Sequence, residues 1–165
     1  TAVLANMQKL IAEIKEDIQD VDGFRERLEQ LPCCATSEDG SEAGDPLNVV
    51  MVGGLAEIAS ALVRRDFRMD IRDFDRLQTL YGRPPDAVVR KKGQAGVPAN
   101  WLRLWVAPFN FQGKTVFVVQ AGRRQGWRMQ QVEDEDMMLN PRVDEVRNLF
   151  IQDLHSLRKP TSPVR

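Results

Sequence analysis

The sequence is poor in the residues on which most enzyme chemistry turns. It has one histidine, His155, and two cysteines, Cys33 and Cys34, which are adjacent. A lone histidine with no second ligand at metal spacing excludes the common zinc patterns. Neighbouring cysteines rarely bridge each other, and with nothing else to pair they leave no disulfide framework. A reducing compartment is compatible with that usage. No serine or cysteine stands in a recognisable nucleophile setting. No uncharged run approaches the roughly 18 residues that span a bilayer. The chain does not begin with Met and shows no signal-peptide pattern, so it reads as a piece of a longer protein. The expectation is no catalytic residue, no metal and no cofactor.

What is present suits one soluble domain with a sizeable core. The 165 residues are 42% hydrophobic and 28% charged, with a net charge of −1. The charge is unevenly spread. Residues 81 to 128 carry nine Lys or Arg against one acid, Asp86, a net +8. The rest holds 14 bases and 23 acids, a net −9. Such a split serves either internal charge complementarity or an anion-binding surface.

The stretch Asn48 to Val52 organises the chain. It is uncharged and β-branched, as a strand buried on both faces should be. Asp45-Pro46 opens it and Gly53-Gly54 closes it with a tight turn. Leu55, Ile58, Ala59, Leu62 and Val63 then recur at helical spacing, to a helix end near Phe67. Gly53-Gly54 before a helix is a weak phosphate cradle, without the fuller glycine pattern or a following Lys-Ser/Thr.

Residues 1 to 30 read as one long helix. Leu4, Met7, Ile11, Ile14, Ile18, Val21 and Leu28 form an a/d seam, broken once by Arg25. The seam either packs on its own domain or makes a stalk or self-association surface over residues 4–28. Its 3.5-residue period favours the stalk. Residues 31 to 44 read as a linker of turn formers and acids, 45 to 158 as the α+β domain, and 159 to 165 as a tail.

Within that domain, 68 to 80 reads as a loop with a short helix. Residues 82 to 86 form a rigid turn, Ala87 to Lys91 a strand and Gly93 to Pro98 an excursion. Trp101 to Val106 and Thr115 to Ala121 read as a hairpin turning at Gln112-Gly113. The acidic run 133–136 is a solvated loop or a lid over the basic half. A last helix starts at Asn140-Pro141, carries His155 beside its apolar stripe, and stops at Pro160. The expected fold is α+β: a small, mostly antiparallel sheet with helices packed on one face, plus the long N-terminal helix.

Arg83, Asp86 and Arg90 read either as a structural ion pair holding the turn or, with Lys91, Lys92, Arg103 and Arg123, as an anion clamp. The candidate ligand residues are therefore Arg83, Arg90, Lys91, Arg103 and Arg123. Trp101 and Trp105 beside Arg103 are available to stack on bases, but a core position suits them better, so nucleic acid is not the expected partner.

The order of several segments resembles the LssY carboxy-terminal domain family. These are Leu31-Pro-Cys-Cys34, Gly44-Asp-Pro-Leu-Asn-Val-Val-Met-Val-Gly53, Tyr81-Gly-Arg-Pro-Pro-Asp86, Leu102-Arg-Leu-Trp105, Val143-Asp-Glu-Val-Arg147 and Gln152-Asp-Leu154. The resemblance covers about residues 31 to 157. It implies a membrane-associated bacterial protein, since this domain is often attached to membrane-embedded parts, including type-2 phosphatidic acid phosphatase and DedA-like segments. The implied partners are such segments, with the domain on the cytoplasmic side. One departure is Arg123-Arg124, where an arginine followed by an acid is expected. The resemblance does not imply a phosphatase here, because that chemistry needs two histidines. The expected function is a non-catalytic accessory or interaction domain. The alternative is a binder or enzyme acting on a phosphate or phospholipid headgroup at residues 81–128.

Overall fold

The structure, a computed structural model, describes residues 2–91, 100–125, 128–131 and 150–153. Thirteen elements follow in order: α1 (Ala2–Ala12), β1 (Glu16–Ile18), α2 (Val21–Glu29), β2 (Cys34–Thr36), β3 (Ala43–Pro46), β4 (Val49–Val52), α3 (Leu55–Arg64), β5 (Phe67–Met69), β6 (Ala87–Lys91), β7 (Asn100–Phe111), β8 (Lys114–Gln125), β9 (Arg128–Gln131) and β10 (Phe150–Asp153). The main sheet runs β10-β4-β8-β7-β6-β5, with β9 on β8 and β1 on β7. Among the described residues only the β1–β7 pairing is parallel; the rest of the ladder is antiparallel. The fold is thus a mostly antiparallel α+β arrangement.

The β7–β8 hairpin is the spine. Its turn residues Gln112 and Gly113 have φ of 49° and 76°, the left-handed pair that suits a two-residue hairpin. Along β7, Leu102, Leu104 and Val106 face one side and Trp105, Ala107 and Phe109 the other. All of them are buried. β4 behaves as expected of a strand covered on both faces: Val49 and Met51 join the first core, Val50 and Val52 the second.

Two apolar faces need two covers, and the helices are divided accordingly. Met7 of α1 and Ile58, Ala61 and Leu62 of α3 pack on the first face. Phe24 and Leu28 of α2, with Leu31, Ala35 and Leu47, pack on the second. Helices on one face alone would leave half of the β4, β7 and β8 apolar surface in water.

The single N-terminal helix is not what the chain forms. The helix ends at Ala12, β1 intervenes, and Asp20 starts α2 by accepting a hydrogen bond from the Gly23 N–H at 2.7 Å. The seam is divided between faces: Met7, Ile11 and Ile14 go to the first core and Ile18 and Leu28 to the second. Tertiary pairing overrides the heptad. Glu16–Ile18 align with Phe109–Phe111, and the β7–β8 turn docks on them through Gln112 N–H to Ile18 O (2.8 Å) and Gly113 N–H to the Asp17 carboxylate (3.0 Å).

Three further expectations change. Residues 31–44 are built into the fold, since β2 pairs β3 and Leu31 and Ala35 are buried. Cys33 and Cys34, read as unbridged, form a vicinal disulfide at the start of that hairpin. Phe150–Asp153, read as part of the last helix, is a strand that pairs Val52–Val49 and so supplies a partner for the outer edge of β4. The remainder of that helix, the Gly93–Pro98 excursion, the acidic run 133–136 and His155 lie outside the described residues.

Because Met7 is buried and Leu4 lies at the margin of the same helix, the two should respond differently to truncation. Met7→Ala is expected to cost about 2–4 kcal/mol and Leu4→Ala less than about 1 kcal/mol. Urea unfolding of both variants checks this. Equal effects would mean that α1 is not docked on the sheet.

Candidate functional site

Arg103 lies on β7 between Trp101 and Trp105, in the strand phase that points to the second face, and is only 2% exposed. A charge at such depth must be paired and hydrogen-bonded. Its Nε donates to Asp73 at 3.1 Å, and its Nη1 donates to Asp45 at 3.0 Å and to Gln120 Oε1 at 3.2 Å. Burial works against the Arg103 charge, but Asp73 and Asp45 outweigh it and keep the guanidinium firmly protonated.

The network continues outward. The Gln120 amide donates to Asp45 O (2.9 Å) and to Gln78 Oε1 (2.8 Å). Gln78 in turn donates to the carboxylates of Asp45 (3.2 Å) and Asp75 (3.1 Å) and accepts from the Asp45 N–H (3.0 Å). Three chain segments meet there: β3, the 70–80 loop and the β7–β8 hairpin. Gly44 lets them meet, because a side chain at that position would lie 2.1 Å from Leu77 O.

A second ion pair closes a gap in the sheet. β6 pairs β7 only as far as Leu104, and β1 takes over at Phe109. Between them, the backbone N–H of Val106 donates to Asp86 at 2.7 Å and its carbonyl accepts from Arg83 at 2.8 Å. Arg83 also grips Asp86 with two bonds of 2.7 and 2.8 Å. Two side chains thus do what a neighbouring strand would do for a buried backbone unit. Trp105 Nε1 donates to Arg83 O at 3.1 Å and fixes the same turn.

Above these networks lies a cleft of about 690 Å³. Ser37, Glu38 and Asp39 of the β2–β3 hairpin form one wall, Asp73–Arg76 and Thr79 of the loop another, and Gly82–Pro85 the third. Its surface is rich in carboxylates. Backbone and side-chain hydrogen bonds from Ser41, and a further one from Ser37, lower Asp39 from its ordinary 3.8 to about 2. Burial raises Asp75, but the Leu77 N–H, the Gln78 amide and the charges of Arg103 and Arg76 together hold it below its usual value. Arg76 is itself engaged with Glu42.

Of the five predicted ligand residues, Arg83 alone lines this cleft. Arg103 lies behind Asp73. Arg90, Lys91 and Arg123 occupy the other end of the β6–β7–β8 ladder, where Lys91, Asn100 and Arg123 are successive partners in register. Arg90 lies over the Trp101 ring at 5.4 Å. Arg83, Arg90, Lys91 and Arg103 do not converge on one pocket. Among the described residues, no group of three or more His, Cys, Asp or Glu is placed to hold a metal ion.

The residues missed by sequence reasoning are Asp45, Asp73, Asp75, Gln78 and Gln120. One signal was available: Arg103 and Gln120 are polar residues in the inward phase of adjacent strands, and the register pairs them directly. No family model, curated protein or solved structure matches this chain.

Two outcomes follow from the network. Arg103→Ala strands the buried Asp73 and Gln120 and removes the partner of Asp45, and is expected to cost about 3–5 kcal/mol in urea unfolding, whereas Arg90→Ala, half-buried over Trp101, is expected to cost about 1 kcal/mol or less. Asp39 and Asp75 bind protons less readily folded than unfolded. Their contribution to stability is therefore full above about pH 5 and is lost as the pH falls from about 4 toward 2. Urea midpoints measured between pH 5 and pH 2.5 should fall less steeply in an Asp39→Asn, Asp75→Asn double variant.

Proposed function

We propose that this chain is an interaction domain, not itself catalytic, of a membrane-associated bacterial protein, and that the 70–76 loop beside the cleft is its docking element. The observation that carries this reading is how the basic half is used. Arg83 and Arg103 are consumed by internal pairs, and the cleft that Arg83 lines also holds Glu38, Asp39 and Asp75, so an anionic ligand would meet like charge there. The same loop holds the two most exposed large apolar residues among those described, Ile71 at 87% and Phe74 at 88%. Nearly complete exposure of two such residues on one short loop is a mark of interaction surfaces.

The resemblance to the LssY carboxy-terminal domain supports the membrane setting. Several residues that carry it have structural positions: Gly44 at the close approach, Asp45 on Arg103, Asn48 bonded to both backbone groups of Ala121, and Arg83 and Asp86 on Val106. They account for a fold without requiring a reaction.

A photocrosslinking residue at position 74 in cells tests the docking role. The expected result is a discrete adduct at 74 and none at Glu29, an exposed residue at the end of α2. Thermal unfolding with millimolar phosphate or glycerol phosphate tests the alternative. No shift beyond a matched-salt control is expected, whereas a ligand present at 100 times its Kd would add about 2.7 kcal/mol. A rise that disappears in Arg83→Ala would favour the anionic-ligand reading instead.

A further inference from the structure

We infer that the 70–76 loop docks on an anionic lipid surface, inserting Ile71 and Phe74 at the headgroup level while neighbouring arginines meet the lipid phosphates. This deepens the docking role just proposed and rests on it. The sequence from Arg68 to Arg76 alternates cations and acids and looks electrically neutral in effect. The fold sorts them. The Asp70 side chain is 6% exposed and accepts the Arg72 N–H at 3.0 Å. Asp73 is 7% exposed and is held by Arg103. The loop's inner acids are thus turned toward the protein, while the side chains of Arg68, Arg72 and Arg76 remain mostly in solvent. Asp66 beside Arg68, and Glu42, Asp75 and Asp39 around Arg76, are the acids that face these cations, whereas Arg72 reaches Asp70 only at 3.9 Å.

The arrangement fits a fluid partner better than a rigid one. Ile71 and Phe74 stand out from the loop almost fully exposed; only Phe74 borders the cleft, whose other lining residues are mostly polar or charged. Two protruding apolar side chains flanked by long cationic ones are what an interface of headgroups and acyl chains accommodates, because the cations can snorkel to the phosphates. The loop is held firmly enough to present them. Asp73 is fixed by Arg103, and Asp75 accepts from the Leu77 N–H at 3.0 Å and the Gln78 amide. No helix among the described residues is long and apolar enough to cross a membrane, so the contact proposed here is peripheral.

The test is co-sedimentation of the 165-residue chain with vesicles of phosphatidylcholine alone or mixed with phosphatidylglycerol, at low and at physiological salt. Binding is expected on the mixed vesicles, weaker on the neutral ones, and falling with salt. Ile71→Asp, Phe74→Asp should weaken it by about tenfold or more, and Arg68→Gln, Arg72→Gln by a similar factor. Val21→Asp, exposed on α2, should leave it unchanged. Circular dichroism of each variant confirms that these surface changes leave the fold intact. No binding to mixed vesicles at low salt overturns the inference, as does binding that the Ile71, Phe74 variant retains. A protein adduct at position 74 without vesicle binding would also overturn the lipid surface as partner, while leaving the interaction-domain reading in place.

Discussion

The structure depends on one buried charge. Arg103 has a guanidinium that water does not reach, in the middle of a sheet face otherwise covered by Trp105, Val118 and Leu47. Leaving such a group unpaired would cost several kcal/mol, so the fold must deliver carboxylates to it. It delivers Asp45 from the β3 end and Asp73 from the 70–80 loop, and Gln120 and Gln78 saturate what remains. The loop between β5 and β6 has little regular structure of its own. Its position is set by this network, by the Thr36–Thr79 bridge and by the close approach at Gly44.

The same requirement explains how the exposed face arises. The loop interleaves acids with arginines and large apolar residues. Once Asp73 is drawn inward to Arg103 and Asp70 folds back on its own backbone, the residues next to them are turned away from the protein. Ile71 and Phe74 are left outward with the arginines. An interior electrostatic constraint and an exterior amphipathic loop are therefore two sides of one arrangement.

Much of the central sheet was legible because its signals are local. The β4 run, the Gly53-Gly54 turn into α3, the alternation of β7 and the Gln112-Gly113 hairpin each follow from period and turn chemistry. The failures share a cause, which is long-range pairing. A 3.5-residue seam over residues 4 to 28 is real in the sequence, but β1 is claimed by the far end of β7, and Asp20 restarts the helix as an ordinary cap. Phe150–Asp153 has a helical-looking context, yet the outer edge of β4 needs a strand. The site was half visible. Arg83 and Asp86 read as a structural pair from their spacing, but their target, the Val106 backbone in the gap between β6 and β1, is a property of the sheet. Asp45 and Asp73 are 58 and 30 residues from Arg103 in the chain, and no periodicity connects them. Exposure of Phe74 was likewise illegible, because a phenylalanine between two aspartates gives no indication of which neighbour will turn inward.

The central claim is that Arg103 holds the 70–80 loop through Asp73. Amide hydrogen exchange in the wild type and in Asp73→Ala measures this directly. Leu77 N–H bonds to Asp75 and Thr79 N–H to Thr36, so both report on the loop, while Val118 and Val119 pair within the central sheet and report on the core. The account expects exchange at Leu77 and Thr79 to accelerate in the variant while Val118 and Val119 stay protected. Unchanged protection at Leu77 and Thr79 would contradict it, and would mean that the loop is positioned by something other than the buried arginine.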